Sequence, residues 1–561
     1  MASMPICFAG VGRQEGQIPM MRRESYREAY ARFAWEDVRA ALGWSNDGKV
    51  CLATSIADRH VARDTPALIC IGKEGTGRGV SYRELADASS RFANVLQRYG
   101  VGPGDRVAGL MPRVPEALIA VVGTLKAGAI YVPMFTGLGL DAVQYRLDHS
   151  RARVLVTHHE VRGQVPGGRN ITTLCVLDAG RPAWPGDLDF WETLDRECTS
   201  FEPVRRDRDD TAALIYTSGS TGPPKGGAIA VNFLAAVWPY IVYGLDLTDR
   251  DVIWPTGDPG WGYGFVCYLG ALALGATVLS VENNPSPETC LSLLESYRVT
   301  NLATTPTLLR GLMSLGEARV RAPHHVLRAI SSCGEPLNAK VVEFFQGAWN
   351  LTPMDHFGAT ELALPVGNYN GLDMAVKPGS MGLPSPGYRM AIVDEGGGEL
   401  PDEQTGLLGR ASDSDNCYWQ RYWDDPQASR KIARNGWIVT GDLARRDADG
   451  YFWFEGRTGD MIKSAGYRIG PFEIESALLR HPAVAEAAVT GKADPLRGEI
   501  VKAWIVLRPG FRPSDALSDE LVQMVKASVG RHQSPREITF IAALPKTETG
   551  KIQRYLLREP S

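Results

Sequence analysis

The sequence predicts an α/β protein: a large N-terminal domain of parallel α/β layers plus a β-rich subdomain, followed by a small mobile α+β C-terminal domain. Three observations predict it. Helical patterns and short apolar runs alternate up to the glycine- and proline-rich "PGSMGLPSPG" (378–387), the rhythm of parallel sheets with helical crossovers. Short strands with alternating character then follow, "YRMAIVD", "GLLGRAS" and "YFWFEGR". After "GRTGD" (456–460) come a helix, a strand, a second helix and a basic tail. The expected division is 1–459 and 460–561. At 561 residues the chain is too long for one core, and about 150 residues per domain suggests three or four structural units.

The elements follow in order. "SYRELADASSRFANVLQRYG" (81–100) predicts an amphipathic helix opened by a serine cap and stopped by glycine. "DRVAGLM" (105–111) predicts a strand and "VPEALIAVVGTLKAG" (114–128) a helix. Its apolar stretch is bounded by Glu116 and Lys126 and is too short to span a bilayer. "TAALIY" (211–216), "ATVLSV" (276–281) and "RAISSCG" (328–334) read as buried strands, the last running into glycine. In the last domain "PFEIESALLRH" predicts a helix and "VKAWIVL" (501–507) a strand.

Composition narrows the function classes. A hydrophobic content of 44% and a charged content of 22% belong to an ordinary globular protein. A net charge of −4 supplies no basic face for nucleic acid. Nine cysteines are scattered without a CxxC pair, which argues against a disulfide scaffold or a cysteine-based zinc site and for a reducing cytoplasm. The N-terminus lacks a basic start followed by an apolar core, so no secretory signal is expected.

The densest chemistry is "YTSGSTGPPKG" (216–226). Glycines and the hydroxyls of Thr217, Ser218, Ser220 and Thr221 precede one cation, Lys225. A donor-rich loop after a strand suits an anionic phosphate. It is not the common phosphate loop, which needs Gly-Lys-Ser/Thr opening a helix; here Pro223 and Pro224 precede the lysine. Downstream, "SSCGEPLN" (331–338) and "DHFGATE" (355–361) each bear glycine at a strand end, the second finishing in Thr360 and Glu361, a hydroxyl and a carboxylate suited to Mg2+ near phosphates. "GWIVTGDLA" sets Asp442 after a tight Thr-Gly, where a carboxylate can take two ribose hydroxyls. Arg457, Arg468 and Lys551 add cations.

Taken together and in this order, the motifs resemble the adenylate-forming superfamily of acyl-CoA synthetases, nonribosomal adenylation domains and luciferases. The resemblance runs from about residue 26 to 557. "KPGSMGLPSPGY", "RYWDDPQASRK", "IKSAGYRIGPFEIESALLRHPAVAEAAV" and "LPKTETGKIQRYLLRE" are similar to the acetyl- and medium-chain acyl-CoA synthetase branch. The resemblance implies two half-reactions with ATP, Mg2+ and coenzyme A: a carboxylate attacks the α-phosphate of ATP to give acyl-adenylate and pyrophosphate, then the CoA thiol displaces AMP. A carboxylate is a weak nucleophile, so catalysis rests on positioning and on neutralising phosphate charge.

By the same resemblance, Thr217, Ser218, Gly219, Ser220, Thr221, Gly222 and Lys225 hold the β- and γ-phosphates. Gly334, Glu335 and Pro336 border the adenine, with Asp355, His356 and Phe357 across from them. Thr360 and Glu361 face the α-phosphate and Mg2+, while Asp442 and Arg457 hold the ribose and Arg468 lies nearby. Lys551 is the mobile catalytic lysine of the first step, and a point cation on a flexible stem suits that role. For the second step the C-terminal domain rotates and brings Ala465, Gly466 and Tyr467 to CoA; Lys526 is assigned to the CoA phosphates. Gly459 stands where the family joint carries Asp or Lys, which makes the joint more permissive. Pro223 replaces a lysine of many relatives, and Ala359 replaces a glutamine.

The acyl pocket is assigned to Trp261, Gly262, Tyr263, Cys333 and Gly358. Acetate-specific relatives carry tryptophan at the position of Gly358, so glycine there is expected to open space for a medium-chain acid of about C4–C10. An aryl or short-chain acid, or transfer to a carrier protein, are the alternatives. The partners are a small-molecule carboxylic acid, ATP and CoA, with no nucleic acid and no membrane span. A homodimer is compatible with the sequence.

Overall fold

The computed structural model describes residues 23–558 except 46, 168–170, 179, 218–222, 413–417, 465–466, 495–496, 532 and 547–551. Its strands assemble into two large sheets, two five-stranded sheets and a two-stranded ribbon of Lys49–Val50 with Arg206–Asp207. The eight-stranded sheet is parallel from Thr211–Thr217 through Ile130–Met134, Arg106–Leu110, Val154–His158 and Thr172–Val176 to Leu188–Asp189. Its other edge turns antiparallel at Lys225–Ala230 and Trp419–Tyr422. The nine-stranded sheet is parallel from Pro66–Ile71 to Met354–Ala359 and turns antiparallel at Ala363–Gly367. The eight-stranded sheet thus reverses strand direction at one edge and the nine-stranded sheet at both, since Gly77–Ser81 runs antiparallel to Pro66–Ile71; the Lys225–Ala230 edge of the first and the Ala363–Gly367 edge of the second carry the residues described below.

The predicted helix at 81–100 spans Tyr82–Arg98, with Ser81 and Glu84 forming a reciprocal cap and Gly100 at φ +68° just beyond the end. Pro115–Lys126 and Gly262–Leu274 sit in the largest hydrophobic cluster. Every side chain of Pro115–Lys126 is buried, which explains an apolar run with no polar face. Its two charges are compensated: Trp191 donates to Glu116 at 3.0 Å, and Lys126 donates to Asp58 at 2.7 Å and Ser90 at 2.9 Å. Among the described residues no helix is long and apolar enough to cross a membrane.

The β-rich subdomain is an antiparallel five-stranded sheet that includes Met390–Val393, Gly406–Ala411, Trp437–Arg446 and Phe452–Arg457. The C-terminal unit carries its own sheet, with Gly498–Leu507 between Val484–Asp494 and Glu537–Phe540, and helices Pro471–Leu478 and Asp515–Ser528. It has its own core around Ile474, Val489, Ile505 and Leu521. Where the two units meet, Gly470 approaches the Glu455 carbonyl so closely that a Cβ would lie 2.2 Å from it.

Candidate functional site

The hairpin of Thr211–Thr217 and Lys225–Ala230 pairs Thr217 with Lys225 and Tyr216 with Gly226. Thr217 and Lys225 thus face each other at the two ends of the hydroxyl-rich segment, and a strand, not a helix, follows Lys225. Ser218, Gly219, Ser220, Thr221 and Gly222 lie outside the described residues. Gly227, one pair further down, has a second use: a Cβ there would stand 3.0 Å from Thr360 Cγ2. A bare backbone at 227 lets the Thr360–Glu361 turn settle over this hairpin.

That turn is the tip of another tight hairpin, in which Ala359 pairs with Ala363 and Leu362 donates to Ala359 O at 3.0 Å. Ala363 at φ +65° completes it. Glu361 is buried and accepts a hydrogen bond from Tyr422 Oη at 2.6 Å. Tyr422 belongs to the edge strand Trp419–Tyr422, where it pairs with Gly227. Its ring lies 5.1 Å from Lys225 Nζ, a cation–π distance. One tyrosine thus ties the edge of the eight-stranded sheet to the turn of the nine-stranded sheet. In the sequence Tyr422 stands within "RYWDDPQASRK", where nothing local points to this role.

Burial pushes the Glu361 carboxyl upward, against the Tyr422 hydrogen bond; nearby Asp442 raises it further and Arg457 lowers it. A buried carboxylate facing this penalty is stabilised by a hard cation with oxygen preference, so the residues present fit Mg2+. Asp442 and Arg457 stand opposite one another on Trp437–Arg446 and Phe452–Arg457. Arg457 Nε donates to Asp442 Oδ1 at 2.9 Å and Thr440 Oγ1 donates to Oδ2 at 2.5 Å. Asp442 is buried, while the Arg457 side chain is about half exposed at 52%. Gly441 at φ +84° lies inside strand Trp437–Arg446, where the pairing with Gly406–Ala411 is irregular between Val439 and Leu443, so the Thr-Gly pair sits in a strand irregularity and not in a turn.

The adenine-assigned segment follows strand Ala329–Cys333, with Gly334 at φ +99°. Glu335 accepts from Thr307 Oγ1 at 2.8 Å and from Arg310 Nη2 at 2.7 Å, two supports that nothing in the sequence pointed to. Ser332 pairs with Asp355 and Cys333 with His356 in parallel register. Asp355 accepts from Leu337 N at 3.2 Å, and its Oδ1 is buried with no hydrogen-bond partner. Burial lifts this carboxyl to about 8. The orphan oxygen beside Gly334, Glu335 and Pro336 is the feature expected of a group awaiting a polar ligand edge.

His356 is not brought to that group. Its ring lies against Tyr240 (centroids 4.9 Å apart) and Tyr369, with Gly244 and Gly367 closing in. Both ring nitrogens are buried without partners, and burial lowers its pKa to about 3. Alternation along the strand sends Asp355 and His356 to opposite faces, and His356 shares its face with Cys333. Phe357 packs on the neighbouring cluster around Val366 and Met381.

On the acyl side, Trp261 precedes helix Gly262–Leu274 and its indole lies 3.4 Å from where a Cβ of Gly334 would stand. Tyr263 and Cys333 are buried, and Tyr263 Oη is 2.9 Å from Tyr240 Oη. Gly262 lies near Ile215. Gly358 corrects the sequence reading. A Cβ there would meet the Ala363 carbonyl oxygen at 2.9 Å and Leu364 Cδ2 at 3.1 Å. The glycine is demanded by the irregular register between Phe357 and Ala359, and Leu364 fills the direction expected to be open.

Lys551, Ala465 and Gly466 lie outside the described residues, as do the side chains of Tyr467 and Arg468, which belong to strand Tyr467–Ile469. Lys526 is in the last turn of Asp515–Ser528, where a cation complements the helix dipole. At the joint, Gly459 has open space where a Cβ would be and no left-handed φ. The fold itself does not require glycine there. Next to it, Asp460 pairs with Arg558 at 3.1 Å.

Residues 57–412 match the AMP-binding enzyme family and 473–551 match the AMP-binding enzyme C-terminal domain. The chain is 38% identical over 544 residues to an acetyl-coenzyme A synthetase of Bacillus subtilis (strain 168), covering 95% of each. It is 36% identical over 509 residues to a mitochondrial acyl-coenzyme A synthetase of Rattus norvegicus, covering 88% of this chain and 86% of the relative. Among solved structures, an acyl-CoA synthetase of Brucella canis superposes with a TM-score of 0.78 at 37% identity, covering 95% of this chain and 98% of the other. A benzoate CoA ligase of Burkholderia xenovorans LB400 gives 0.81 at 29% identity, covering 91% and 100%.

Proposed function

The chain belongs to the AMP-binding enzyme family as an AMP-forming acyl-CoA synthetase using ATP, Mg2+ and CoA, and from that premise we propose that it activates an unbranched aliphatic acid of about C4–C10. The observation that carries the adenylation chemistry is the corner where Tyr422 joins Glu361 to the Lys225 hairpin, with Asp442 and Arg457 alongside. In this reading Lys225 and 217–222 hold the terminal phosphates, while Asp442 and Arg457 hold the ribose. Gly334, Glu335, Pro336 and Asp355 take the adenine. Glu361, beside Thr360, would hold Mg2+, which would supply neutralisation of the phosphate charge.

The acid's oxygen forms a bond to the α-phosphorus as the bond to pyrophosphate breaks, with Lys551 steadying the charge. The C-terminal unit, which we divide from the rest at 459/460, then turns about Gly459 and brings 465–467 to the CoA channel. There the thiol sulfur attacks the acyl carbon and AMP leaves. The cytoplasm is the assigned compartment.

The medium-chain assignment is supported by the absence of any cation among Trp261, Gly262, Tyr263, Cys333 and Gly358 and by the burial of Tyr263 and Cys333. The second reading is a short-chain acid such as acetate. It is favoured by Leu364, which occupies the space beside Gly358. AMP and pyrophosphate release with straight-chain acids from C2 to C12, with and without CoA, separates the two. A peak within C4–C10 with acyl-CoA formed supports the proposal, and a peak at C2 replaces it with the second reading. Pyrophosphate without acyl-CoA points to a carrier-protein acceptor.

A further inference from the structure

We propose that His158, His159 and Asp178 form a binding site for a divalent transition-metal ion of the Zn2+, Co2+ or Ni2+ type, separate from the Mg2+–nucleotide corner. Neighbouring parallel strands Val154–His158 and Thr172–Val176 end side by side, with His158 paired to Val176. The backbone N of His159 then donates to Val176 O at 2.9 Å, which aligns the two chain exits. One strand delivers two imidazoles and the other, two residues past its end, a carboxylate.

The geometry is close to that of a ligand set. His159 Nε2 lies 3.1 Å from Asp178 Oδ2 and His158 Nε2 lies 3.9 Å from Asp178 Oδ1. Two atoms bound at about 2.1 Å around a tetrahedral metal are about 3.4 Å apart, and the two observed separations bracket that value. The candidate ligand atoms of all three residues fall within 4.8 Å of one another. Rotations of the imidazoles, whose centroids are 4.7 Å apart, would be enough to close the set.

The surroundings favour metal over a bare ion pair. His158 is buried. His159 Nδ1 is buried with no hydrogen-bond partner. Glu160 Oε2 stands 3.9 Å from His158 Nδ1, on the side where an outer carboxylate orients a ligating histidine. The Glu160 backbone N is also 3.5 Å from that nitrogen, too long to fix the tautomer. Lys73 pairs with Glu160 and lies 3.7 Å from Glu282, so Glu160 is already neutralised. Asp178 is 58% exposed, which leaves an entry path. Two imidazoles and one carboxylate select borderline ions over Mg2+ or Ca2+.

The test is a Co2+ titration of chelator-treated, tag-free full-length protein, followed by visible d–d absorption and by calorimetry. His159→Ala and Asp178→Asn are compared with the parent, and each variant's melting curve is recorded without metal to establish that it is folded. The expected result is one Co2+ per chain with tetrahedral-type bands, displaced by Zn2+ and insensitive to millimolar Mg2+. Affinity should fall about tenfold or more in each variant, while Mg2+-dependent adenylation stays unchanged. Absence of d–d bands, or equal affinity in parent and both folded variants, overturns the proposal and leaves an ordinary histidine–aspartate contact.

Discussion

At the corner proposed for the nucleotide, Tyr422, Glu361, Asp442 and Arg457 are connected by hydrogen bonds and charge, whereas the wall proposed for the acid, with Trp261, Leu364 and Cys333, is fixed by close packing against glycine and backbone. The difference decides what each region tolerates. Directed polar groups at the corner fail when one partner is lost, because a buried charge is left uncompensated. A packed wall responds to volume, and gradually. On the proposed function, the phosphate chemistry would then be held rigidly while the length of the acid stays adjustable.

The largest test of that contrast is Glu361→Gln, which keeps the volume and removes the charge. Adenylation, read as pyrophosphate release, is expected to fall about 10²–10³-fold, with little change in the relative preference among acids. On the packed side, Leu364→Ala should raise the kcat/KM ratio of C10 over C4 acid by about tenfold, from the 1–3 kcal/mol per methylene of such pockets, with adenylation otherwise retained. An unchanged ratio would remove Leu364 from the wall. Tyr422→Phe should lower adenylation by about tenfold, the loss of one hydrogen bond to a charged group.

Gly358→Ala is a stability test. The added methyl meets Ala363 O at 2.9 Å and Leu364 at 3.1 Å, and overpacking of this kind destabilises by about 1–3 kcal/mol. The melting temperature should drop with no shift in chain-length preference; a shift without a drop would restore the open-space reading. The smallest effect concerns Asp355, whose carboxyl is raised from 3.8 to about 8 by burial. A raised carboxyl stabilises the fold while protonated, so its contribution is lost as pH climbs from the unfolded value toward 8. The parent should lose more melting temperature than Asp355→Asn over that window, and parallel profiles would show that the group is already ionised.

The contrast also explains what could be read from the chain alone. Caps and helices were legible because they depend on neighbours in sequence: Ser81 with Glu84, or the apolar run at 115–126. The closeness of Asp442 and Arg457, which the sequence assigned together, is seen in their 2.9 Å hydrogen bond. Tyr422 was not legible, since its role depends on the pairing of Gly227 with Tyr422 across the sheet edge. The face of His356 follows from strand register, and the filling of space at Gly358 from a side chain six positions on in a bulged hairpin. Both are properties of assembled strands.

The most direct test of the corner is a double-mutant cycle on Glu361→Gln and Tyr422→Phe, read by ATP–pyrophosphate exchange with a saturating acid. If Tyr422 acts through Glu361, the double variant should be no slower than Glu361→Gln alone, a coupling close to the whole Tyr422 effect. Multiplicative losses would contradict the account and show that the tyrosine acts independently of the carboxylate it touches.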